Sequence, residues 1–388
     1  MKNKLQFNRY RKGQGIFMKK SQITKIVCVM ILLLATTGCS AERERDNVTV
    51  KEPGGSLTII DNPENEAEDT GISVVRIDPY EKLEITDWLD SDTVIVSKEN
   101  ESLGKMSLAE LSDSYPRSIY LYNLKTKEYK LLQEDADLNL GGATLSPDKK
   151  NLLYYGNSLG DPSYYVLNLE NQKSFTIAGE PIGNAGSANW ADKDTVIGAG
   201  YTNGAYTAST EGKITVIKEL EDKAVFLVKQ INDTIYYNTS DDNTLMALNL
   251  STKETVSLNL ANVFGVYPSP DEKQILVLQY KGSQQALLLC DTDGSNTKII
   301  AEGIELGGVS WSPDQRMIVY NMKGEGSGTG NSGLYLYDLL TDETTRIAVD
   351  VEGITTSFSP SGKEFAFTQW DGKQYNSSIV HLEDSLQK

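Results

Sequence analysis

The sequence predicts an all-β ring of four-stranded sheets, and three observations carry that expectation. The turn Ser312-Pro313-Asp314 stands between two apolar runs, Val309-Ser310-Trp311 and Met317-Ile318-Val319-Tyr320. Pro313 pre-sets φ at the first central position of a type I turn, and Asp314 tolerates the second. The same grammar returns at Ser146-Pro147-Asp148, Ser269-Pro270-Asp271 and Ser359-Pro360-Ser361-Gly362, each followed by a strand-like run. The spacing is regular: Pro147 to Pro270 is 123 residues, or three steps of 41, and the next two steps are 43 and 47. A period of that size is one propeller blade of four strands. Seven units fit, so the expected fold is a seven-bladed β-propeller, with six or eight blades as alternatives.

Taken in order, residues 1–38 read as a leader. Met18 is the better start, followed by Lys19-Lys20, a polar spacer, ten apolar residues over 26–35, and Thr36-Thr37-Gly38-Cys39-Ser40. Ten apolar residues are too few to span a bilayer, where about 20 are needed. A charged start, a short apolar core and small residues before a cysteine make a secretory signal. The stretch resembles a bacterial lipoprotein signal, with Thr36 where that family usually places Leu. The resemblance implies cleavage between Gly38 and Cys39, an S-diacylglycerol thioether on Cys39, and acylation of the new N-terminus. Two acyl chains would make membrane attachment stable where one is marginal.

Residues 39–70 are expected to be a flexible acidic linker. The 31 residues from Ser40 carry nine acids and three bases around Pro53-Gly54-Gly55. At about 5 to 6 Å times the square root of its length, such a chain holds the body roughly 30 Å from its anchor. A short strand over 57–60 is the one ordered element weighed there.

The ring is expected over 71–388. Its first unit contains Trp88-Leu89-Asp90-Ser91-Asp92-Thr93-Val94-Ile95, echoed in the third by Trp190-Ala191-Asp192-Lys193-Asp194-Thr195-Val196-Ile197. Ile231-Asn232-Asp233-Thr234-Ile235 marks the fourth, and the Ser-Pro turns mark the second, fifth, sixth and seventh. Each unit closes with a second hairpin whose strand ends in Asn or Asp, as in Tyr120-Leu121-Tyr122-Asn123 and Tyr335-Leu336-Tyr337-Asp338; the third is weaker and predicts an irregular blade. These turns and strands resemble the TolB-type β-propeller repeat from about Tyr80 onward, strongly in four units and loosely in three. The resemblance implies the fold and names no partner. The seventh unit lacks a fourth strand after Ile379-Val380-His381-Leu382, while Ile72-Ser73-Val74-Val75-Arg76-Ile77 alternates ahead of the first. Pairing the two would close the ring and remove its edges.

Net charge is −17; without the eight bases of residues 1–38 the balance is 29 bases against 54 acids, or −25. Such a body repels nucleic acid and anionic lipid. Of three cysteines, Cys28 lies in the leader, Cys39 is the lipid acceptor and Cys290 reads as a small buried hydrophobe. The single histidine, His381, reads as a strand residue. One histidine supplies neither a metal cluster nor a triad set among other elements, and there is no Gly-x-Ser-x-Gly elbow. Asp291-Thr292-Asp293-Gly294 reads as a hairpin turn before a calcium loop. The pairs Asp90/Asp92 and Asp192/Asp194 read as turn residues. No cofactor or metal is expected.

With strands lettered A to D from the centre, the Ser-Pro and Asn/Asp turns lie on one face. The long connections 98–115, with a helical signal at Leu103, Met106, Leu108 and Leu111, and 156–162, 198–204 and 323–333 lie on the other. That face is the expected working surface, and Tyr155, Tyr164, Tyr201, Tyr237, Tyr280, Tyr320 and Trp370 are its candidate binding residues. The expectation is a lipid-anchored protein on the extracytoplasmic face of the cell membrane. Its propeller would be a protein- or ligand-binding scaffold and not an enzyme. The alternatives are a propeller enzyme acting on cell-wall or extracellular polymers through carboxylates, and a sensory or accessory subunit of a membrane protein.

Overall fold

The computed structural model describes residues 48–52, 55–59, 71–326 and 330–384. The leader, Gly38 and Cys39 lie outside the described residues. Within the linker, Val48–Glu52 and Gly55–Ile59 pair as an antiparallel hairpin. Val48, Thr49, Val50, Thr58 and Ile59 are β-branched residues that favour strand, and the second strand of this hairpin takes in residues 57–59 of the short strand weighed over 57–60.

The seven expected blades are all present as four-stranded antiparallel sheets. Blade one runs Glu84–Trp88, Thr93–Glu99, Arg117–Asn123 and Tyr129–Gln133. Blade two runs Asn139–Leu145, Asn151–Asn157, Ser163–Asn168 and Ser174–Thr176. Blade three is the irregular one: its innermost strand is only Asn189–Trp190, after a glycine-rich stretch holding a minor hairpin of Ala178–Gly179 with Gly183–Asn184. Blades four, five and six begin at Val225–Ile231, Val263–Pro268 and Glu305–Trp311. Blade seven takes Thr355–Phe358, Glu364–Trp370 and Tyr375–Asp384 from the end of the chain and Ile72–Tyr80 from before blade one. Ile72 lies opposite Asp384, and Tyr80 opposite Ser377, so the ring closes as the sequence predicts.

The Ser-Pro turn has one construction wherever it recurs. Ser146, Ser269 and Ser312 are buried; each hydroxyl donates to the Asp two residues on and accepts the N–H of the next strand's first residues, at 3.0, 3.0 and 2.8 Å. The residue after the turn pair, such as Gln315 at φ 64°, sits in the left-handed region that ends a type I turn with a bulge. Asp90 and Asp192 accept the N–H two residues on at 2.8 and 2.7 Å, and Asp293 does the same for Ser295, so all are turn residues.

The core is seven hydrophobic clusters, one in each interface between neighbouring blades. Second strands are therefore covered on both faces: Val94, Ile95 and Val96 are each 0% exposed, which is why these runs are continuous rather than alternating. Tryptophan ties three interfaces near the axis. The indoles of Trp88, Trp190 and Trp311 donate to Ser357, Thr144 and Tyr267 carbonyls on the preceding blade's innermost strand. Cys290 is fully buried in the interface of blades four and five, and burial lifts its thiol to about 12. His381 is a half-buried seam residue, its Nε2 3.0 Å from Asp78 Oδ2 and 3.1 Å from Arg76 Nη2.

Connection 98–115 differs from its helical expectation. It forms two 3-10 turns, Glu101–Leu103 and Ala109–Leu111, because Gly104 adopts φ 77° between them. Asn100 caps the first turn, and Met106 is buried beneath the loop.

Closure makes a stability prediction. Ile77 packs into the cluster between blades six and seven, whereas Val75 on the same strand is 61% exposed. Ile77→Ala should cost about 2–4 kcal/mol in urea unfolding. Val75→Ala should stay within about 0.5 kcal/mol. Equal, small effects would mean that this strand does not belong to the ring.

Candidate functional site

A cleft of about 460 Å³ opens on the face of the long connections, where blades seven, one and two meet. Blade seven supplies Trp370, Lys373, Gln374 and Tyr375. Blade one supplies Lys82 and Glu84 from its entry, Glu99 and Arg117 from strand ends, and Leu111, Ser114 and Tyr115 from the two-turn connection. Blade two supplies Asn139, Leu140, Gly141, Tyr155 and Asn157.

Arg117 and Glu84 form the floor. Arg117 Nη2 lies 3.0 Å from Glu84 Oε2 and donates to Ser97 O at 2.7 Å, while Nε donates to Ser97 Oγ at 3.1 Å. The guanidinium carbon sits 4.7 Å from the centre of the Tyr375 ring. Both members of the pair are nearly closed off, at 14% and 11% side-chain exposure. Burial raises the Glu84 pKa above the usual carboxylate range, opposed by Arg117 and by the N–H of Gly142. Asp87, two turns of the pleat deeper, is raised for the same reason.

The aromatic wall is set by glycine. Gly142 stands at φ 55°, and a Cβ there would come within 2.2 Å of Tyr155 Cε1, so the ring lies flat against bare backbone. Burial, then the Glu84 charge, pushes Tyr155 up to about 12, and Tyr375 is raised by the same causes. Both phenols keep their protons at neutral pH and serve as hydrogen-bond groups. Trp370, 50% exposed and 4.9 Å from the Tyr375 ring, forms the rim. The cleft therefore offers two exposed lysines and a paired guanidinium beside stacking rings, within a chain of net charge −17.

Of the seven aromatic candidates, Tyr155 and Trp370 line this cleft. Tyr201 and Tyr280 are exposed on the same face at 57% and 48%. Tyr164 packs against the cluster between blades two and three. Tyr237 and Tyr320 are corrected to core residues, 4% and 2% exposed, since their strands are covered on both sides by neighbouring blades. The charged floor was not among the candidates. Its signal was Glu84 between the apolar Leu83 and Ile85, and Arg117 at the head of the strand run Ser118-Ile119-Tyr120-Leu121.

No family model matches the chain, and no curated protein matches it. Solved structures do. An oligogalacturonate lyase in complex with manganese aligns with TM-score 0.59 and 15% identity, over 89% of this chain and 100% of the lyase. The oligogalacturonate lyase of Vibrio parahaemolyticus aligns with TM-score 0.55 and 12% identity, over 80% and 98%. The β-propeller domain of the trilobed protease from Pyrococcus furiosus aligns with TM-score 0.53 and 14% identity, over 78% and 95%. At these identities the likeness is one of fold. It overturns the expectation that the chain is not an enzyme, which leaned on the want of a histidine triad, a metal cluster and a Gly-x-Ser-x-Gly elbow: two lyases are matched over 98–100% of their length by the same ring. Among the described residues no group of three His, Cys, Asp or Glu side chains is placed to hold a metal ion.

The buried carboxyl makes a pH prediction. A carboxyl whose folded pKa is raised contributes stability fully present below its unfolded pKa and lost as pH rises through the folded value. Glu84 and Asp87 both act in this sense. In urea unfolding followed upward from pH 4, Glu84→Gln should lose less stability than the wild type; identical slopes would mean that Glu84 titrates as a solvated carboxylate.

Proposed function

We propose that the chain is a lipid-anchored extracytoplasmic protein whose propeller binds an acidic saccharide chain in the cleft. The observation that carries this reading is composition against background. In a chain with 54 acids and 37 bases, the cleft sets Lys82, Lys373 and Arg117 beside Glu84 and Glu99, with Trp370, Tyr375, Tyr155 and Tyr115 as stacking faces. Cations draw a carboxylate-bearing ligand into a site the rest of the surface repels, and aromatic rings hold the apolar faces of sugars. The lyases that share the ring are named for such a chain. The anchor reading rests on Gly38-Cys39 behind its apolar run. Ile72 enters the ring opposite Asp384, at the Ser-Pro turn face, the far side of the ring from the cleft.

A second reading, turnover of that ligand, is favoured by Glu84. A carboxyl that holds its proton to higher pH is a proton donor, and once protonated it leaves the Arg117 charge free to meet a ligand carboxylate. Binding and turnover separate in one experiment. Isothermal titration with trigalacturonate should give saturable binding that Trp370→Ala weakens by about 1 kcal/mol, roughly fivefold to tenfold in Kd. Appearance of unsaturated or reducing ends, lost in Glu84→Gln, would assign catalysis; wild type and Trp370→Ala binding alike would remove the cleft as the site.

The anchor has its own test. Cys39→Ser should move the chain from the membrane fraction to the soluble fraction, and wild-type protein should stay uncleaved when lipoprotein signal peptidase is inhibited. Normal processing under inhibition would contradict the anchor.

A further inference from the structure

On the cleft face, six blades each present an exposed large apolar side chain: Leu108 on blade one, Leu159 on two, Tyr201 on three, Phe226 on four, Tyr280 on five and Trp370 on seven, between 38% and 57% exposed. Ile304 adds a seventh on the connection from blade five to blade six. Tyr129, Val256, Ile299 and Leu340 are comparably exposed toward the opposite face, away from the cleft.

Two features set what this face fits. Its exposed apolar side chains stand on separate blades, on or beside connections that also carry polar residues such as Ser158, Asn203 and Asp222, unlike the contiguous apolar centre that a protein interface buries. They also continue the cleft. Trp370 is its rim, Asn157 its edge on blade two, and from there Tyr201 Oη donates to Asp161 Oδ2 at 2.7 Å, fixing a ring of blade three beside the connection that carries Leu159. Phe226 stands on the next blade, at the start of its innermost strand.

We infer that the ligand is a long polysaccharide rather than a short oligomer, with the cleft as its first subsite and an arc over Leu159, Tyr201 and Phe226 holding the units that follow. This rests on the cleft reading for the chemistry of the sugar, and adds the length and path of the chain. Successive weak stacking subsites on one rigid ring act at high effective concentration, so each added unit is gained with little further ordering.

The test compares polygalacturonate with trigalacturonate on the detergent-solubilised full chain. Wild type should bind polygalacturonate at least tenfold more tightly than trigalacturonate. The double variant Tyr201→Ala, Phe226→Ala should lose that gain while keeping its trigalacturonate affinity, and its unfolding midpoint should report an intact ring. Tighter polymer binding that the variant retains overturns the arc and leaves the cleft reading standing, as does equal affinity for the two lengths. Absence of binding to both overturns the cleft reading and the arc together.

Discussion

Antiparallel pairing of Ile72–Tyr80 with Tyr375–Asp384 is the constraint on which the rest depends, because it joins the two ends of the ring at the place where the cleft forms. The seam continues into blade one through buried hydroxyls. Ser377 Oγ donates to Leu83 O at 2.7 Å and accepts the N–H of Ile85 at 2.9 Å, while Thr368 Oγ1 donates to Ile85 O at 3.0 Å. Thr368 and Ser377 are 3% and 1% exposed, so each unmade bond would leave a polar group buried without water. Arg316 fastens the junction on the other side of blade seven, its guanidinium 2.7 Å from Asp338 of blade six and 2.5 Å from Asp384 of the closing pair. Blade seven is thus fastened to both neighbours, by hydroxyl and apolar contacts to blade one and by ionic and apolar contacts to blade six.

Glu84 follows the seam by four residues, and its position explains its chemistry. The hydroxyl network holds Leu83 and Ile85 inward on one side, which leaves Glu84 directed to the other, against Arg117. An ion pair so buried gains little net stability, since desolvation offsets its attraction. Its value is that it fixes a guanidinium and a carboxyl at the base of an open cleft, beside the Tyr155 ring that Gly141 and Gly142 allow to lie close. The fold thus supplies a rigid floor, and the connections of blades one and two supply the walls.

Most of the ring was legible in the amino-acid order. Ser-Pro-Asp turns, the Trp88 and Trp190 echoes and the unpaired strand before blade one each state a local geometry that the chain adopts, because the turn chemistry is self-contained. The cleft was less legible. It draws on residues from 82 to 157 and from 370 to 375, and no local pattern says that these converge. Tyr237 and Tyr320 lie toward the ends of their strands, near the face of the long connections, yet blade-to-blade packing covers both faces and absorbs them. The two-turn connection over 98–115 had helical spacing, and Gly104 broke it. Glu84 and Arg117 were hidden for a simpler reason: a single acid and a single base 33 residues apart acquire meaning only when the sheet places them at 3.0 Å.

Amide hydrogen exchange at Ile72–Tyr80 tests the closing seam most directly. If these residues are the outer strand of blade seven, the amides of this segment that bond to Tyr375–Asp384 should exchange as slowly as those of Glu364–Trp370 in the same sheet. Exchange at the rate of free chain across the whole segment, with Glu364–Trp370 still protected, would show that the ring is not closed by this strand and that the cleft does not have the floor described above.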